Sequence, residues 1–218
     1  MAYVDLVSTG VTPVAGGATY SFSYDTPISA DGSPHLTHIG FQIDGTIAAA
    51  GAFNATIGRL INNMRIKIGA NTILDFNDPF TNTDGVTPSN LSVLAQKVRG
   101  VDMVSLTNAA GTEFIGELAL PFGLDASRSH RVNFSITLGS ETDWCGSAFT
   151  VGSTEFNIVN YYGTASDSTL YGSRQDFTLT NGSERAVTVF GKQSWQMLGV
   201  SMINDSDSDG VSQIRVNN

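Results

Sequence analysis

Residues 130–138 read HRVNFSITL, and Val132, Phe134, Ile136 and Leu138 alternate there with Asn133, Ser135 and Thr137. A period of two belongs to a strand, whose successive side chains point to opposite faces, so one face is apolar and the other wet or turned to a neighbour. The pattern spreads in both directions. Tyr20, Phe22 and Tyr24 alternate with Ser21, Ser23 and Asp25; Ile39, Phe41 and Ile43 with Gly40, Gln42 and Asp44; Met64, Ile66 and Ile68 with Arg65 and Lys67. Turn residues separate the runs, as in Gly69-Ala70-Asn71, Asp31-Gly32-Ser33-Pro34, Asp84-Gly85, Asn181-Gly182 and Asp209-Gly210. The reading predicts strands over 3–8, 18–25, 36–48, 59–68, 72–76, 101–107, 112–120, 130–138, 147–151, 154–161, 176–180, 185–190, 195–203 and 212–216.

Residues 89–99, SNLSVLAQKVR, break the period. Leu91, Leu94 and Val98 recur at helical spacing, Ser89 can cap the start and Gly100 can end it. One short helix in a connection follows. Ile57, Leu60, Ile61 and Met64 are also helically spaced, but MRIKI continues them without a break, so strand is assigned from Leu60 on. Many short strands, Gly-rich turns and a single helix predict an all-β sandwich or jelly roll. Residues 1–164 form the sandwich; residues 165–218 restart the β pattern and read as an extension arm or the opening of a second roll.

Composition narrows the function. The 218 residues are 41% hydrophobic, enough for a core, but only 14% charged, against roughly 25% in ordinary soluble proteins. Ser, Thr, Asn and Gly fill the difference, residues that suit lateral contacts without buried charge. The net charge is −9, and the Lys and Arg residues are scattered. Direct nucleic-acid binding, which needs clustered positive charge, is not expected. Cys145 is the single cysteine and reads as a core thiol. The start MAYVDLVSTG has no basic, apolar leader, and no apolar run reaches spanning length. Synthesis in a cytoplasm is expected.

No catalytic set emerges. His35 and His38 fall on opposite faces of a strand, and His130 opens one. Glu113 and Glu117 share a strand face but occur there without other catalytic partners. There is no phosphate loop, dinucleotide fingerprint or nucleophile elbow. No enzyme and no cofactor are expected; residues 205–210 read as a polar loop tip between strands, with structural Ca²⁺ as the alternative. Asp205, Asp207 and Asp209, alternating ahead of Gly210, offer hard oxygen ligands of the kind Ca²⁺ takes, though Val216 stands where an EF-hand loop needs Glu. Trp144, in ETDWCG, reads as a loop anchor more readily than as a sugar platform.

A resemblance rests on ordered segments: LTHIGFQIDGTIA, then RLINNMRIKIGANTILDF, a short helix, EFIGELALPFG with its Pro121-Phe122 step, and HRVNFSITLG. Over residues 17–160 this resembles the upright jelly rolls of major capsid proteins from tailless, membrane-containing icosahedral viruses, single or double. The resemblance implies a structural virion protein, a subunit of an icosahedral shell assembling through lateral β-sandwich contacts. It implies a trimer or pseudo-hexameric capsomer, with a second coat protein and an internal membrane as further neighbours, and no catalytic residues. A full double roll would be longer than this chain. The competing reading is a receptor- or carbohydrate-binding β-sandwich module, such as a spike or fibre head.

Overall fold

The computed structural model describes residues 3–12, 17–50, 56–77, 90–150, 153–164 and 172–173. A compact unit spans Met1–Arg174. Its strands are β1 (Tyr3–Ser8), β2 (Thr19–Asp25), β3 (His35–Thr46), β4 (Ile61–Ile68), β5 (Asn71–Asn77), β6 (Val101–Leu106), β7 (Glu113–Asp125), β8 (Arg131–Leu138), β9 (Glu155–Gly163) and β10 (Gly172–Ser173). Three helices accompany them: α1 (Ile57–Leu60), α2 (Asn90–Lys97) and α3 (Glu141–Cys145).

The first sheet has the order β1-β9-β3-β7-β6 and the second β10-β5-β4-β8-β2. The pairs β1·β9, β2·β8, β3·β7 and β4·β5 are all antiparallel. Each strand before the β4–β5 turn thus pairs with its mirror after it, as if one long hairpin had been rolled up. Successive pairs fall in alternate sheets, and β3·β9 and β4·β8 close the roll. This is the jelly-roll topology, two stacked sheets that are antiparallel except where the short β10 runs parallel to β5. Strand β6 is an addition beside β7, delivered by α2.

Alternation places the core. Leu36, Ile39, Phe41 and Ile43 of β3 face inward with Phe156, Ile158 and Tyr162 of β9 and Phe114, Leu118, Leu120 and Phe122 of β7. They meet Met64 and Ile66 of β4 and Val132, Phe134, Ile136 and Leu138 of β8. Phe156 packs on Phe41 of the neighbouring strand at 5.0 Å and crosses between the layers to meet Tyr20 edge-on at 5.1 Å. One polar pair lies inside: the Tyr24 hydroxyl donates to Asn160 Oδ1 at 2.8 Å, while Asn160 Nδ2 has no partner.

Three segments differ in kind from the sequence reading. Residues 57–60 form the short helix α1 ahead of β4, and its burial of Ile57 and Leu60 explains the helical spacing seen there. Of the strand read at 147–151, residues 147–150 form only the bridge Ile47–Phe149, and residue 151 lies outside the described residues. The ETDWCG segment is the helix α3, capped by the Ser140 hydroxyl, which accepts from the Asp143 amide, and closed by left-handed Gly146. Trp144 is buried, donating from Nε1 to the Thr56 carbonyl at 3.0 Å and packing on Phe114 and Phe149. Cys145 is a buried free thiol, and that burial pushes its pKa up.

Helix α2 ends differently from expectation. The left-handed residue is Arg99, at φ 59°, and Gly100 follows it, its amide donating to the Ala95 carbonyl at 2.7 Å. That six-to-one bond is a Schellman closure. Gly100 is needed for space: a Cβ there would lie 2.4 Å from the Ala119 carbonyl oxygen. Replacing Gly100 by Ala therefore forces the chain off β7 and should lower stability by about 1–3 kcal/mol, whereas Arg99→Gly relieves left-handed strain and should raise it by about 0.5–1 kcal/mol. Urea unfolding of both variants measures the pair.

Candidate functional site

With the inner faces sealed, function falls to the outer ones, and the two differ. The outer face of the second sheet is built from the polar positions of the alternation: Thr19, Ser21, Ser23 and Asp25 of β2 opposite Thr137, Ser135, Asn133 and Arg131 of β8. Thr19 and Thr137 hydroxyls are 2.7 Å apart. Arg131 donates to Asp25 at 3.0 Å and to Ser23 at 2.8 Å, and Arg65 pairs with Asp75 at 2.8 Å. Charges on this face are thus largely cancelled in the plane of the sheet, leaving a surface of hydroxyls and amides.

The outer face of the first sheet is mixed, aliphatic residues interleaving with amide, acidic and aromatic side chains. Its positions are Val4 and Leu6 of β1, Asn157, Val159 and Tyr161 of β9, His38, Gly40 and Gln42 of β3, Ile115, Glu117 and Ala119 of β7, and Met103 of β6. At its centre Tyr161 reaches from β9 across β3 and donates its hydroxyl to Glu117 Oε1 on β7 at 2.5 Å. The strand between them permits this because it carries Gly40, where a Cβ would stand 2.6 Å from that carboxylate oxygen. Burial raises the Glu117 pKa above the ordinary value of 4.5, and the Tyr161 hydrogen bond opposes the rise only in part. Burial, with the adjacent carboxylate, also raises Tyr161. His38 stands edge-on to Tyr161 and its Nε2 lies 3.3 Å from the Arg99 carbonyl.

A second polar knot holds the helices. Asp102 of β6 accepts from the Thr56 hydroxyl at 2.7 Å and the Gly58 amide at 2.9 Å, so it caps the start of α1 from another strand. Thr56 also meets Ser92 of α2 at 3.0 Å. The role is architectural, tying α1 and α2 to β6.

The sequence-predicted candidates are dispersed. Glu113 and Glu117 do share a face, but their backbones are about 13 Å apart at four residues of strand rise, and Glu117 leans toward Gly40, away from Glu113. Glycoside chemistry places its carboxyls at about 5–10 Å. His130 donates from Nε2 to the Asp125 carbonyl, 2.7 Å away, and its amide donates to the Thr26 hydroxyl oxygen at 2.9 Å. Among the described residues, no group of three or more His, Cys, Asp or Glu side chains is placed to hold a metal. Asp205, Asp207, Asp209 and Trp195 lie outside the described residues. The Glu117–Tyr161 clasp was missed; an interior strand glycine, Gly40, was its available signal.

These features define a jelly-roll sandwich whose distinctive surfaces are two unlike sheet faces. No protein family and no curated protein matches the chain. Among solved structures, it is similar to PBCV-1 VP54 as fitted into a cryo-EM reconstruction of the virophage Sputnik, at 13% identity and a TM-score of 0.37, covering 74% of this chain and 42% of that one. It is also similar to a quasi-atomic model of the PBCV-1 virus capsid, at 14% identity and a TM-score of 0.36, with the same coverage. The chain thus spans less than half the length of the structures it matches.

The raised Glu117 pKa has a sign. The folded state holds this proton more tightly than the unfolded chain, so the contribution is fully present below the ordinary glutamate range and is lost as pH rises through the folded value. Glu117→Gln keeps the acceptor for Tyr161 without the charge. The variant should gain stability relative to the wild type on going from about pH 4 to pH 8, as read by thermal unfolding across that range; a constant difference between the two would contradict a buried, reluctant carboxylate.

Proposed function

We propose that the chain is a structural virion protein, a subunit of an icosahedral capsid that assembles side by side into a trimer or pseudo-hexameric capsomer. The observation that carries this reading is the rolled-hairpin strand order joined to a second-sheet outer face of hydroxyls and internally neutralised charge. Such a face packs against a neighbour through hydrogen bonds and trapped water without stranding an ion. The resemblance over residues 17–160 supports the same role. A fold alone hosts many functions, so the surface chemistry weighs more than the topology.

The alternative, a receptor- or carbohydrate-binding module, calls for an exposed aromatic platform. Trp144 is buried, and the exposed large apolar residues among those described are Val4, Leu6, Ile28, Met103 and Leu106, all aliphatic or thioether. Residues 175–218, the second unit of the chain, belong to the proposal as a clamp on a neighbouring subunit.

Electron microscopy of the purified full chain should reveal symmetric capsomers or shell fragments. Monomers with saturable glycan binding would contradict the capsid reading. Deleting residues 175–218 should abolish assembly while leaving the near-ultraviolet circular dichroism of the buried aromatic core intact; unimpaired assembly would refute the clamp.

A further inference from the structure

Asn160 lies on the inner face of β9 between Ile158 and Tyr162, and all three are fully buried. Its Oδ1 is satisfied by the Tyr24 hydroxyl of β2 at 2.8 Å, but Nδ2 has no partner. An amide nitrogen carries two donor hydrogens, and buried side-chain polar atoms are nearly always bonded to protein or to ordered water. Turning the amide over moves the deficit without removing it. Nδ2 would then face Tyr24 Oη, and Oδ1 would be the orphan.

The surroundings supply acceptors. Asp5 stands directly opposite Asn160 in the β1–β9 register, where facing side chains start about 4.5–5.5 Å apart. Its neighbours Val4 and Leu6 point outward, 50% and 59% exposed, so Asp5 is turned inward, and the residue is half-buried. Asp5 is also close enough to Tyr24 to add to the rise in that phenol's pKa, which burial chiefly causes and to which Tyr162 contributes. The Tyr162 hydroxyl donates elsewhere, to the Pro27 carbonyl at 2.8 Å. Strands β1 and β2 are the edge strands of their sheets. The Tyr24–Asn160 bond joins β2 to the strand beside β1, so the cluster lies at the side of the sandwich that these two edges bound.

A carboxylate drawn fully inward to meet Nδ2 would lose its own water at a cost that one amide bond does not offset. A water molecule avoids that loss. It accepts from Nδ2 and donates to a carboxylate that keeps its outer oxygen in solvent. Internal waters have about three polar partners, and a lone pair of Tyr24 Oη, already bonded to the same amide, offers the third.

We propose that this side of the sandwich holds one internal water, bound by Asn160 Nδ2, the Asp5 carboxylate and Tyr24 Oη, and that through it β1 is fastened to β2 across the interior. The site explains two oddities together: an inward carboxylate on an edge strand, and an amide orphaned beneath it. Beside the packing of Val7 on the core, it is the tie between β1 and the facing sheet.

A crystal structure of the full chain that shows ordered solvent is the first test. A water should stand within hydrogen-bond distance of Asn160 Nδ2 and of an Asp5 carboxylate oxygen. Hydrogen exchange of the β1 amides is the second, with those of β6, at the far edge of the same sheet, as internal reference. Asp5→Ala removes the acceptor and should speed β1 exchange about tenfold while leaving β6 unchanged. Asp5→Asn keeps an acceptor oxygen and should stay near the wild type. A dry Asn160, a direct Asp5–Asn160 bond, or β1 exchange indifferent to Asp5→Ala would overturn the proposal, as would equal loosening by both variants.

Discussion

Strand β3 is hydrogen-bonded on both sides, to β7 over nearly its whole length and to β9 from His35 to Asp44. It must satisfy two incompatible surroundings at once. Its inner side chains fill the space between the sheets, and its outer side must be low enough for Tyr161 to cross from one neighbour to the other. Large apolar residues at Leu36, Ile39, Phe41 and Ile43 meet the first demand, and Gly40 meets the second. The register of every other pair follows. Once β3 is fixed between β7 and β9, rolling the hairpin brings β4 between β5 and β8 in the facing sheet, with β2 outside β8. A slip of one residue would turn Phe41 outward and Gln42 into the core.

The same alternation explains why the strands were legible in the sequence while the helices at the ends of the sandwich were less so. Tyr20 to Asp25 and Val132 to Leu138 declare their faces without reference to anything distant. Segment 57–60 does not, because a four-residue helix offers a single turn of pattern and runs directly into MRIKI. Its stability comes from elsewhere in the chain, from Asp102 holding the Gly58 amide and from the burial of Ile57 against the core. Residues 147–150 carry strand-like composition but, among the described residues, have one bridging partner. In the ETDWCG segment, what forms the helix is a Ser140 cap and a Trp144 anchor that bonds to a carbonyl 88 residues away. Each of these depends on non-local partners that no window of sequence contains.

The surfaces were half legible. The hydroxyl-rich face of the second sheet is the polar half of the period-two pattern, read directly from Ser21, Ser23, Ser135 and Thr137. The outer face of the first sheet was hidden because strands buried on both sides lack clean alternation: EFIGELALPFG shows Ile115, Ala119 and Pro121 outward between inward Phe114, Leu118 and Leu120. Glu117 reads in isolation as an ordinary outward carboxylate. Its unusual state arises from a tyrosine 44 residues along the chain and a glycine on the strand between.

Native-state hydrogen exchange, resolved to single amides, tests most directly whether the architecture is built around β3. Amides of residues 39–44 should exchange only by global unfolding, with those of β1 and β6 at the sheet edges opening at lower free energy. Protection of β3 equal to or weaker than that of the edge strands would contradict the account.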